Sequence, residues 1–331
     1  MNASGDKDKI IGRRFFWLVR LAVGIGLFCF TLYILDWRQI IFEVQKIQFS
    51  VLGVAFLLVI AMHIVLAVRW HVLIKPILAS SIAHSIRCFF AANLMNFLTP
   101  ASLGGDVYRV IILKSDKTSY PDLIVVVLRE RLVGIIGFTI FYLLCILWLT
   151  GFSVDWLNGR TDKFLLLGLG LAAFLILVLG GRSAVSSLLT RSSALINARV
   201  TRLLEKVLLA AKFDKGSNFF ALLSLSLAGV TLWVFVLLVV AANVNVSLSF
   251  ATIGMIGIFV ELVRLIPITV QGIGVREGLF AYCFVLLNLP PEKGLLIGAI
   301  AYFVATLGLI TTGIVGYLWT EMVAAIRGSR I

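Results

Sequence analysis

The chain has 331 residues, of which 61% are hydrophobic and only 14% charged, against about 25% charged in an ordinary soluble domain. A soluble fold of this length has no interior large enough to hide so much apolar side chain, which excludes a soluble enzyme, a secreted disulfide scaffold and a disordered chain. The formal net charge of +13 reads as loops lying against anionic lipid headgroups, and no basic run interleaved with aromatics points to nucleic acid.

A bilayer core of about 30 Å takes about 20 apolar residues in helix. Six stretches meet this, at 15–35, 49–68, 122–149, 163–181, 217–242 and 294–319. The first follows Lys7, Lys9, Arg13 and Arg14 and ends in Asp36-Trp37 with no small-residue cleavage site, so it reads as a retained helix. Two further apolar stretches are interrupted: 77–113 contains Pro100, Gly104 and Gly105, and 250–288 contains Pro267, Gly272 and Gly274. Between the halves, 183–215 alternates apolar residues with Arg and Lys, as a basic amphipathic helix on the inner leaflet does. The basic residues concentrate at both termini, at 109–117 and at 182–216. The positive-inside rule places these segments in the cytoplasm of a bacterial or archaeal cell. Cys29, Cys88, Cys145 and Cys283 all lie in apolar stretches and form no CxxC pair, so they read as buried hydrophobes.

This orientation closes only if each interrupted stretch enters and leaves on the same side. The expected fold is therefore an all-α polytopic membrane protein, a single membrane domain over 1–331. It has about six full transmembrane helices and two re-entrant broken segments, arranged as an inverted repeat of 15–149 and 163–319. The broken segments match locally: Pro100 precedes Arg109, and Pro267 precedes Arg276, by nine residues, with a glycine pair between. Proline breaks a helix and glycine permits the turn. Irregular backbone at membrane depth survives only where protein buries it or where it lines a wet cavity. Corresponding breaks in two halves point to a transporter binding site, with the amides at the half-helix ends suited to an anionic group.

Charges at membrane depth sharpen the candidate site. Each costs about 2.5–3.5 kcal/mol at a helix centre unless paired or hydrated. Arg109 and Arg276 are the expected phosphate grips, since the guanidinium fork is always charged and binds phosphate bidentately. Glu261 and Arg264 stand at i and i+3 and can pair on one face. Glu130, next to Arg131, is expected to bond across to another helix. Glu277 and Asp106 complete the set. No histidine has metal-ligand spacing with carboxylates, and no Asp-rich pair suits Mg²⁺ on a pyrophosphate, so neither metal nor cofactor is expected.

At Asn96-Phe-Leu-Thr-Pro100-x3-Gly104-Gly105-Asp106-x2-Arg109, and again at Pro267-x4-Gly272-Ile-Gly274-Val-Arg276-Glu277-Gly278, with Glu130-Arg131 between them, the sequence resembles flippase-like membrane proteins related to the lysylphosphatidylglycerol synthase transmembrane region. The resemblance covers about 15–320 and implies lipid translocation across the cytoplasmic membrane. The C-terminal synthase domain of the aminoacylating members has no counterpart in this sequence, so aminoacyl transfer does not carry over. The expectation is a transporter for an anionic or polyprenyl-phosphate-linked lipid. The alternatives are a non-catalytic partner of an envelope-synthesis enzyme and a membrane-embedded lipid-linked transferase.

Overall fold

The computed structural model describes residues 26, 37–78, 80–99, 104–115, 118–150, 170, 217–264, 269 and 272–327. Among them the chain folds into helices, with one isolated bridge between Ser115 and Thr118. The helices are α1 (Trp37–Gln45), α2 (Phe49–Ile74), α3 (Ile82–Leu98), α4 (Gly104–Ile112), α5 (Tyr120–Thr150), α6 (Ser217–Asn243), α7 (Phe250–Arg264), α8 (Val275–Leu286) and α9 (Pro291–Arg327). Four of them, α2, α5, α6 and α9, are long and apolar enough to cross a membrane. Leu57, Leu144, Phe303 and Leu318 on these helices are exposed, an apolar outer surface that water does not tolerate and lipid does. The chain is an integral membrane protein. The expected spans at 15–35 and 163–181 and the connector at 183–215 lie outside the described residues, apart from Gly26 and Gly170.

Local chemistry fixes the helix ends. α2 continues to Ile74, past the expected 68, and stops just before Pro76. Ser81 caps α3 by accepting from His84 N at 3.3 Å. Thr99, after α3, has φ −115° and ψ 143°, the extended backbone that the following proline imposes. Ser119 and Asp122 exchange hydrogen bonds across the first turn of α5, and Ser249 Oγ accepts from Thr252 N at the start of α7. α9 opens on Pro291, whose missing N–H is no loss in a first turn.

Each interrupted stretch becomes two shorter helices. α3 has 17 residues and α7 has 15, or roughly 22–26 Å at 1.5 Å per residue, short of a full crossing. Both halves therefore run long, short, short, long. The major helix contacts share this pattern. Exchanging α2–α5 for α6–α9 turns α3·α9 into α7·α5, α2·α3 into α6·α7, α4·α5 into α8·α9 and α5·α6 into α9·α2, and all of these pairs pack. The α2·α6 pair maps onto itself. In it Leu66 lies against Gly229, and Arg69 donates to Ser226, so the two helices run in opposite directions.

α3 and α9 also run antiparallel, at very close range. A Cβ on Gly313 would stand 2.6 Å from Leu94 N, so the two backbones almost touch, as small residues allow in membranes. At the same seam Asn93 Nδ2 donates to Thr312 Oγ1 at 3.0 Å, and His63 Nδ1 of α2 lies 3.3 Å from that hydroxyl. Asn93→Ala is expected to lower stability by about 0.6–1.7 kcal/mol, the range for interhelical hydrogen bonds in membranes, measured by reversible unfolding in mixed micelles.

Candidate functional site

In the first half, α4 begins tucked under the end of α3. Gly104 N donates to Thr99 Oγ1 at 2.9 Å and Gly105 N to Asn96 Oδ1 at 2.8 Å. A Cβ at either glycine would collide with the α3 carbonyls of Met95 or Ala92, so the close approach requires glycine. Asn96 thus occupies a helix-end amide that the sequence pattern offers to an anion. The reason is local: the α3 terminus supplies acceptors within reach before any ligand does.

Asp106 and Arg109 stand one turn apart on α4. Arg109 Nη2 donates to Asp106 Oδ1 at 2.5 Å, and its Nη1 donates to Glu130 Oε2 of α5 at 2.6 Å. The guanidinium stacks 4.2 Å from the Trp70 ring and 5.4 Å from Phe89, and the residue is 5% exposed. Glu130 Oε1 lies 3.5 Å from Arg69 Nη2, whose Nη1 donates to Ser226 Oγ at 3.0 Å. Arg131 reaches the other Asp106 oxygen at 2.7 Å. A continuous ion chain, Arg131–Asp106–Arg109–Glu130–Arg69, thus ties α2, α4 and α5 together and ends on α6. Its three guanidinium groups against two carboxylates leave one positive charge.

The second half is built differently. On the last turn of α7, Arg264 donates twice to Glu261 Oε2, at 2.9 and 2.7 Å, which is the expected i, i+3 pair. Tyr302 of α9 donates to Glu261 Oε1 at 2.6 Å. Glu277 Oε2 accepts from Gly274 N at 2.8 Å and closes the N-terminus of α8. Gly272, at φ +74°, lies between the side-chain stems of Arg264 and Arg276, so a side chain there would be both strained and obstructed. Arg276 stacks 4.1 Å from the Tyr302 ring and comes no nearer than 3.7 Å to Glu277. Its Nε is buried without a hydrogen-bond partner among the described residues, as is Thr269 Oγ1 in the same broken segment.

Sequence alignment of the halves explains this asymmetry. With Pro100 on Pro267, Gly105 on Gly272 and Arg109 on Arg276, Asp106 falls on Ile273 and Glu130 on Ile297. In the second half isoleucine stands at the positions of both carboxylates that pair with Arg109. The structure therefore brings together Asn96, Gly104, Gly105, Asp106, Arg109, Glu130 and Arg131 in one cluster, and Glu261, Arg264, Gly272, Gly274, Arg276 and Glu277 in another. Pro100 and Pro267 lie outside the described residues. Sequence reasoning missed Arg69, Trp70, Ser226 and Tyr302. Arg69 was legible, since the apolar run resumes after it as Trp70-His-Val-Leu-Ile74, whereas a lone serine or tyrosine in an apolar span carries no periodic signal. Among the described residues no group of three or more His, Cys, Asp or Glu side chains is arranged to hold a metal ion.

Long apolar helices, two broken helix pairs and buried arginine clusters at the breaks define a polytopic α-helical membrane protein. A family model described as the lysylphosphatidylglycerol synthase transmembrane region matches residues 17–314, and the chain belongs to that family. No curated protein and no solved structure matches the chain.

Proposed function

We propose that the protein translocates a phosphate-bearing lipid, anionic or polyprenyl-phosphate-linked, across the cytoplasmic membrane, with both termini in the cytoplasm. Family membership supports lipid handling, and one observation carries the site. Arg276, its side chain 12% exposed, lies beside a broken helix with one carboxylate at 3.7 Å and an Nε that bonds to nothing among the described residues. A lipid phosphate supplies the acceptors that Ile273 and Ile297 do not, and Arg binds phosphate bidentately. Arg264, across Gly272, is held by Glu261 and leaves Arg276 as the principal contact. At Arg109 the carboxylates of Asp106 and Glu130 hold the place a phosphate would take, so lipid must displace one of them there.

The same reading takes the fold as an inverted repeat about a pseudo-two-fold axis in the membrane plane, with six full spans and two re-entrant pairs. The exchange symmetry of the helix contacts and the opposed directions of α2 and α6 support it. In such folds the site lies at the repeat interface and the halves rock around it.

The test is translocation in proteoliposomes, with labelled anionic phospholipid and a polyprenyl-phosphate analogue side by side. Arg276→Gln is expected to reduce translocation by about tenfold or more, the loss of a charge-assisted hydrogen bond. Unchanged transport by folded Arg276→Gln would sink the assignment of the site. Transport of neither lipid by folded wild-type protein would favour a partner subunit of an envelope glycosyltransferase or a lipid-linked transferase.

A further inference from the structure

The α3–α9 groove is closed where Gly313 and Gly316 lie on the backbone of Leu94 and Ala91. Beyond Gly316 the two helices part around a cavity of about 390 Å³, whose lining includes Ser80, Ser81, His84, Arg87, Trp319 and Val323. It sits at the start of α3 and the end of α9, and none of the arginines of the two ion clusters lines it.

The lining has one sign of charge. Arg87 contributes a guanidinium, and no carboxylate is present among the described residues that line the space. Arg87 Nη2 lies 2.9 Å from His84 Nδ1. A guanidinium only donates, so Arg87 is the donor in this contact. Arg87 Nε is buried without a hydrogen-bond partner among the described residues. Two serine hydroxyls complete the polar wall. Ser81 accepts from the first turn of α3, and Ser80 is held 3.1 Å from Ser85, which in turn lies 2.9 Å from His71. The opposite wall is apolar, from Trp319 and Val323. A guanidinium that meets no carboxylate among the described lining residues, hydroxyl donors and a helix start on one side, with an indole on the other, match an anion attached to an apolar body.

We propose that this cavity binds a phosphate group, as a lipid headgroup or as free phosphate, with Arg87 as its principal contact. Trp319, in the last turns of a membrane-crossing helix, stands where indoles settle between hydrocarbon and water, which puts a lipid phosphate within reach. The proposal is independent of translocation: a protein that moves no lipid still binds at this cavity.

The test uses the full chain in detergent. Native mass spectrometry with added phosphatidic acid counts retained lipid, and thermal unfolding with and without inorganic phosphate reads the free ion. Wild type is expected to retain a lipid that Arg87→Gln binds about tenfold or more weakly, while Arg276→Gln retains it. A phosphate-dependent rise in melting temperature that Arg87→Gln lacks assigns free phosphate; retention of lipid without that rise assigns a headgroup. Ala83 is exposed and lines the cavity, so Ala83→Glu places a carboxylate there without touching the core. It is expected to weaken binding even if Arg87→Gln fails to fold. Equal retention by wild type and by folded Arg87→Gln or Ala83→Glu overturns the proposal, as does loss through Arg276→Gln alone.

Discussion

Glu130→Ala is expected to destabilise the protein by about 3–5 kcal/mol, the range for stranding a buried charge. One carboxylate faces two buried guanidinium groups: Arg109 at 2.6 Å and Arg69 at 3.5 Å. Removing it leaves Arg109 with Asp106 alone and Arg69 with a neutral serine. Asp106 cannot compensate, because its second oxygen already accepts from Arg131. The loss is read from unfolding in mixed micelles, and a change below about 1 kcal/mol would show that water or lipid replaces the carboxylate. A double-mutant cycle with Arg109→Ala should return a coupling of about 1.5–3 kcal/mol, since the two side chains share one network.

The second large effect belongs to Gly316. Any side chain there meets Ala91 N and Phe90 within contact distance. The obstacle is backbone, which cannot rotate aside, so α3 must move off α9. Gly316→Val is expected to lower stability by about 1–3 kcal/mol, the usual penalty of overpacking, or more. Gly53 lies on the exposed face of α2, where an added Cβ would meet nothing within 4 Å. Gly53→Ala should be neutral or stabilising by up to about 1 kcal/mol. Equal melting temperatures for the two variants would contradict the close α3–α9 seam.

Much of this architecture was legible in the sequence. The spans at 49–68, 122–149, 217–242 and 294–319 each fall on a long helix, and the Pro–Gly interruptions each mark a break between shorter helices. The Glu261–Arg264 pair was readable because helix geometry puts i and i+3 on one face. Glu130 was readable as a cross-helix partner, since burial forces a membrane carboxylate to find a cation. What stayed hidden depends on distance in space. Arg69 could be read as a charge within a helix, but its acceptor, Ser226, lies 157 residues away. The contrast between Arg109 and Arg276 was in the letters all along, as Asp106 against Ile273 and Glu130 against Ile297. A search for matching motifs looks for what repeats, and here the difference carries the chemistry.

The long-range pairings also bear on how the chain is made. Asn93 and Thr312 are 219 residues apart, and ribosomes add about 5–20 residues per second. Arg69, 157 positions before Ser226, therefore waits about eight to thirty seconds for it to be synthesised, and α3 waits longer for its closely packed neighbour, the last helix. During that interval Glu130, only 61 positions downstream of Arg69 in the numbering, is the nearer counter-charge, so the nascent first half can pair its arginines, with one positive charge left over, before Ser226 exists. All five members of the ion chain lie between residues 69 and 131, so the chain can close before the second half is made.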